Sequence, residues 1–329
     1  MNPSPQDTQA QPTVGGVKPA SAKFFTLRTP LGRFVWFGVL LTALFSKGLV
    51  DLVVYVARSN LHNYILLVPV MSAYLIYDRR DRLPQTHSSS PGWGGALMIA
   101  GLTALFFALT LPRSAAGAHL SLLAASFVCL LAAGGFFFLG RSWMTAAAFP
   151  FAFLIFIVPM PDAMADALET ASKLASTEAA DLFFNLTGTP VLRDGTVFQL
   201  PNITIQVGQE CSGIRSSWVL VITSLVAANL FLKSPWRRAA LVAFVIPLGI
   251  LRNGFRVWTI ATLCIQYGPR MIHSVVHRRG GPFFFALSLI PLFLLLWWLR
   301  RGEVRSQTAE VRSRRVDDGG QMAEVKRER

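Results

Sequence analysis

The sequence predicts an α-helical polytopic membrane protein of about eight transmembrane helices, with a small extracytoplasmic helix and a β-hairpin inserted ahead of residue 211. Three observations predict it. Hydrophobic residues make up 53% of the 329 positions and charged residues only 15%; soluble domains average about a quarter charged, so there is too little polar surface here to coat a globule. Several apolar runs reach or approach the roughly 20 residues that cross a bilayer as a helix. Basic residues gather in the tails and in alternate short loops, the placement that orients membrane helices. The formal charge of +14 therefore points to anionic lipid headgroups as partners and not to nucleic acid.

Taken in order, residues 1–30 are rich in Pro, Gln, Ser and Thr without apolar periodicity and are expected to be a disordered cytoplasmic tail. No compact signal peptide with a cleavage site opens the sequence, so the first apolar run is expected to stay as an anchor. An amino-terminal transmembrane bundle over 31–159 is predicted to hold about five spans, at 34–57, 64–77, 93–111, 120–139 and 144–159. Lys47 and Asp51 stand four apart in the first span, the spacing of an intrahelical ion pair turned towards protein. The basic cluster between Asp78 and Arg82, with Arg141, Lys233, Arg237, Arg238 and Arg300-Arg301, marks one consistent inside face and puts both termini in the cytoplasm.

The connection 160–210 then falls outside. Its first half, 162–186, has apolar residues at helical spacing and predicts an amphipathic helix along the membrane. Its second half predicts strands, with Asp194-Gly195 as a hairpin turn and Ile203, Ile205 and Val207 alternating in a third strand. A last transmembrane core over 211–301 is predicted to hold about three spans. The tail 302–329 mixes both charges with few apolar residues and is expected to be disordered and cytoplasmic.

Chemistry concentrates at residues 209–217, Gln-Glu-Cys-Ser-Gly-Ile-Arg-Ser-Ser, where a polar segment meets an apolar run. Cys129 and Cys264 lie in apolar runs and suit packing. Cys211 sits instead beside Glu210, Ser212 and Gly213, with Arg215 one helical turn on; a helix starting at Ser212 or Gly213 adds its positive end, and both favour a thiolate. Counting helical rise from the inside markers puts Cys211 about 33 Å, Arg256 about 27 Å and His277 about 35 Å across a hydrocarbon core of roughly 30 Å. A Cys, an Arg and a His thus reach one level, the outer face. There a thiolate can attack a carbonyl, an imidazole move protons, and a guanidinium hold the developing oxyanion. Arg252 and Asn253 share the helical turn before Arg256. His273 and His277 have the spacing of a helical metal pair, but no glutamate stands beside the first and no third ligand is evident, so neither metal nor cofactor is expected.

Three blocks in this order resemble the exosortase/archaeosortase family of membrane cysteine transpeptidases: Glu210-Cys211-Ser212-Gly213-Ile214-Arg215-Ser216, Asn253-Gly254-Phe255-Arg256, and His277-Arg278-Arg279-Gly280-Gly281 running into Phe283-Phe284-Phe285. The resemblance implies Cys211 as nucleophile, Arg256 as catalytic arginine and His277 as proton carrier, with His273 the alternative. Glu210 departs from the small residue many members have before the cysteine. The resemblance also implies a bacterial inner-membrane enzyme with its site on the outer face. Its substrates would be membrane-anchored proteins ending in a short Pro-Glu-Pro-like motif, a transmembrane helix and a basic cluster. Cleavage would pass through a thioester, with an acceptor amine or water completing the reaction. The rival reading from another class is a non-enzymatic transporter or scaffold of extracellular polysaccharide and envelope assembly.

Overall fold

The computed structural model describes residues 29–59, 62–84, 88–112, 116–201, 203–208, 213–268 and 281–303. The chain is mostly helical. Helix α1 (Pro30–Leu44) opens where the Thr29 hydroxyl accepts from the Gly32 amide at 3.0 Å and Pro30 fills the first helical position. Helix α2 (Ser46–Arg58) departs from it at 69°, where the sequence predicts one straight span. Phe45, at the bend, is buried and packs on the ring of Phe127 at 5.7 Å. Lys47 and Asp51 are not an ion pair: both are exposed, and with His119 they line a cavity of 810 Å³. Helix α3 (Val68–Asp78) follows a short 3₁₀ turn.

Helices α4 (Pro91–Thr110) and α5 (Ala116–Phe138) form an antiparallel hairpin, Gly94 facing the Phe137 ring and Gly101 facing Leu130. The run predicted as one span over 144–159 is instead broken into α6 (Arg141–Ala146), α7 (Ala148–Phe153) and a 3₁₀ turn. Pro150 has no N–H for the carbonyl of Ala146, so one helical hydrogen bond is missing across the break at Ala147.

Helix α8 (Asp162–Leu186) leaves the preceding segment at 93° after Pro159 and Pro161. Three short strands follow as an antiparallel meander, β1 (Leu192–Asp194), β2 (Val197–Leu200) and β3 (Ile203–Gln206), with Arg193 opposite Phe198 and Phe198 opposite Ile205. Arg193 pairs with Glu178 and Asp181 of α8, tying the sheet to that helix. Ala180 and Phe184 of α8, Phe198, Leu200 and Ile205 of the sheet, and Val257 and Ala261 further along share one buried cluster.

Helices α9 (Ile214–Phe231), α10 (Pro235–Tyr267) and α11 (Gly281–Glu303) complete the described residues and share a core that includes Leu220, Leu241, Val245 and Leu292. At one end of this trio the Glu303 carboxylate accepts from the Lys233 and Ser234 amides at 3.0 and 2.6 Å, an anion at the positive end of α10. Arg237 and Arg238 donate there to the carbonyls of Leu299 and Leu232. The amino-terminal helices join the trio through Tyr64 stacked on Trp218 at 5.7 Å and through Arg79 donating to Asn229 at 2.7 Å.

Among the described residues, α4, α5, α10 and α11 are long and apolar enough to cross a membrane. Counting the bent pairs α1/α2 and α7/α8 as one span each gives six. The chain is a polytopic helical membrane protein. The eight spans of the sequence reading also count the shorter apolar helices Tyr64–Asp78 and Ser216–Phe231.

Candidate active site

Glu210, Cys211, Ser212, His273 and His277 lie outside the described residues, and Arg215 is described as backbone only. What is described is the chain that precedes and follows them in sequence. Gly213 caps the start of α9 with φ +68° and ψ 4°, a left-handed conformation that non-glycine residues adopt at a cost. A Cβ at this position would sit 2.7 Å from Asn253 Oδ1 and 3.2 Å from Arg252 Nη2, so the glycine also makes room for α10. The carbonyl of Gly213 accepts from the Ser217 amide at 3.0 Å, the Ser216 hydroxyl at 2.9 Å and the Ser217 hydroxyl at 3.1 Å. It accepts as well from Arg252 Nη2 at 3.1 Å, and the same nitrogen reaches Ser217 Oγ at 3.3 Å.

The sequence block 252–256 is one turn of α10 that faces Gly213, α8 and α11 in turn. Arg252 and Asn253 are buried, 7% and 2% exposed, and face Gly213. Gly254 lies against α8: an added Cβ would come within 2.5 Å of Ala179 Cβ and 2.9 Å of the Ala180 nitrogen. The Phe255 ring meets Phe183 at 5.7 Å, Trp258 at 5.5 Å and Phe284 of α11 at 6.1 Å. Trp258 Nε1 donates to Thr187 Oγ1 at 3.1 Å at the end of α8. Arg256, partly exposed, stands one turn beyond Arg252 on the same helix. The described parts of the three sequence blocks therefore converge: Gly213 on Arg252-Asn253, and Phe255 on Phe284.

Sequence reasoning gave no role to Ser217, Ala179, Phe183 or Phe284. A signal existed for the first, since serines four residues after a helix-capping glycine can bond back to its carbonyl. An apolar groove of 330 Å³ opens beside this frame between α8, α9 and α10. Ala171, Ser172 and Ala175 line one wall, and Ile214, Ser217 and Trp218 line the one next to Gly213.

Residues 56–294 match the family model for transmembrane exosortases. The chain belongs to the transmembrane exosortase family. No curated protein and no solved structure matches it. The matched region of this exosortase runs from α2 into α11 and takes in all three blocks.

Proposed function

We propose that this exosortase is a membrane cysteine protease/transpeptidase that cleaves carboxy-terminal sorting signals, a Pro-Glu-Pro-like motif followed by a transmembrane helix and a basic cluster. It would sit in a bacterial inner membrane, with eight spans and both termini in the cytoplasm. Helix α8, the small sheet and the active site would lie on the extracytoplasmic side. The observation that carries the reading is the junction of Gly213, two residues after Cys211, with Arg252 and Asn253, one turn before Arg256. This bond joins residues 39 positions apart in sequence, which supports the pairing of a thiol with an arginine that the family's chemistry needs.

In this mechanism the Cys211 thiolate attacks the scissile carbonyl and forms a sulfur–carbon bond, with Arg256 donating to the oxyanion. The carbon–nitrogen bond then breaks as the leaving nitrogen takes a proton from His277. An amine or water next attacks the thioester, gives a proton to His277 and returns the thiolate. The apolar groove between α8, α9 and α10 supports this reading, because a substrate helix arriving through the bilayer would find an apolar wall that ends at Ile214 and Ser217.

The test is expression of Cys211→Ala and Cys211→Ser beside a tagged protein bearing a sorting tail. Both variants are expected to leave the tail uncleaved; full processing by both overturns the reading. A Thr187→Cys variant tests orientation: it is expected to react with an impermeant maleimide on intact cells, and reaction only after lysis would invert the topology.

A further inference from the structure

Arg252 is a buried cation with no buried anion beside it among the described residues. Among the described residues no carboxylate lies in ion-pair range of it. Its hydrogen bonds run to Gly213 O and Ser217 Oγ, and Nη1 has no partner among the described residues. A guanidinium inside an apolar helix is expensive and marks function by default. If packing were its whole purpose, an apolar side chain of similar volume would serve at least as well.

The carbonyl it holds does not need it. Gly213 O has two lone pairs, and the Ser217 amide with the Ser216 and Ser217 hydroxyls already supply three donors. What the guanidinium adds is a charge-assisted bond from a second helix, which fixes the direction of that carbonyl relative to α10. Holding the oxygen holds the peptide plane after Gly213, and with it the left-handed turn that feeds α9. Cys211 precedes Gly213 by two residues, a chain reach of about 7 Å. Arg256 stands on α10 one turn from Arg252. The nucleophile's turn and the catalytic arginine are thereby indexed to one rigid helix.

We propose that Arg252 is the positioning residue of this active site, clamping the Gly213 turn to α10 so that the thiol of Cys211 is presented at the height of Arg256. The proposal rests on the reading of Cys211 as nucleophile. It differs from a substrate or headgroup contact, because the clamp acts with no substrate bound.

Two measurements on the purified full chain in detergent micelles test it, with Arg252→Met and Arg252→Lys compared against wild type and Cys211→Ala. Hydrogen–deuterium exchange reads the clamp directly: the peptide containing amides 213–218 is expected to exchange at least about 10-fold faster in Arg252→Met. Steady-state cleavage of a sorting-tail peptide reads its purpose. Here kcat is expected to fall about 100-fold, the scale of a 1 Å misplacement, with KM within about two-fold. Lysine keeps the charge but offers a point donor and not a planar fork, so Arg252→Lys should recover part of both losses. Unchanged exchange over 213–218 overturns the clamp, as does a change confined to KM. If Arg252→Met does not accumulate, Arg252→Lys decides alone: a drop in kcat of five-fold or more at constant KM supports the clamp, and wild-type kcat overturns it. Faster exchange in Arg252→Met together with full cleavage by Cys211→Ala would leave the clamp standing and sink the proposed function.

Discussion

At the scale of single residues, the frame of the site depends on a missing Cβ. Gly213 combines a positive φ with contact distances that leave no space for a methyl group. Gly213→Ala is expected to cost about 1–3 kcal/mol through strain alone, and to abolish cleavage even where the protein still accumulates. Thermal unfolding in detergent and the processing assay together check both halves, and an active alanine variant would show that the turn is not what the site depends on. The importance of Gly213 was legible in the sequence, because a glycine at a helix mouth beside a thiol has few other reasons to be there. The identity of what presses on it was not. Asn253 and Arg252 lie about 40 positions away, and only the packing of α10 on α9 brings them together.

At the scale of elements, α8 and α10 approach so closely that Gly254 touches the backbone of α8. An added methyl must push against Ala179 and the Ala180 nitrogen, neither of which is a flexible chain end. Gly254→Ala is therefore expected to lower stability by about 1–3 kcal/mol, the usual cost of overpacking, read as a lower unfolding temperature. The groove one turn earlier on the same face of α8 makes a separate prediction. Ala175→Phe fills its wall, where a phenyl ring has room. It should leave the unfolding temperature near wild type while raising KM for a sorting-tail substrate. An unchanged KM would remove the groove from the substrate's path.

Elements also show where sequence reading succeeds and fails. The bounds of α8 follow from its amphipathic spacing and the prolines before it, and the start of α9 follows from Gly213. The bend between α1 and α2 left no such trace, because no proline or glycine marks Phe45; tertiary contact with Phe127 fixes its place. Lys47 and Asp51 have the spacing of a pair, but an exposed i,i+4 pair is worth only about 0.3–0.5 kcal/mol. That is too little to dictate the conformation of two long side chains. Pro150 was visible in the sequence and lies three residues beyond the break at Ala147 in the fifth predicted span.

At the scale of the whole molecule, the amino-terminal helices and the α9–α11 trio meet around His62, Tyr64 and Trp218. His62 lies in the loop after α2, 3% exposed, with Nδ1 3.0 Å from Ser59 Oγ. Burial holds its pKa below the ordinary 6.5, against a smaller opposing pull from the Asp162 carboxylate. The fold thus favours the neutral imidazole. This contribution is present above about pH 6.5 and is lost as pH falls, because the unfolded chain then takes up the proton first. The unfolding temperature is expected to drop between pH 7.5 and 5.5, and His62→Phe should flatten that drop. An identical drop in the variant would assign the acid sensitivity to other groups.

The contact of Ala179 with Gly254 also has a consequence in time. These residues are roughly 75 positions apart, and a chain growing at about 5–20 residues per second produces the second some 4–15 seconds after the first. Throughout that interval the α8 face that will receive Gly254, and the Phe184–Phe198 cluster that will receive Val257 and Ala261, have no wall to close on. A nascent chain ending before Pro235 already carries Cys211 but none of the α10 contacts that shape the turn beside it. Synthesis itself thus acts as a timer: the thiol is made first, and the α10 side chains that press on the turn beside it follow only about 40 residues later.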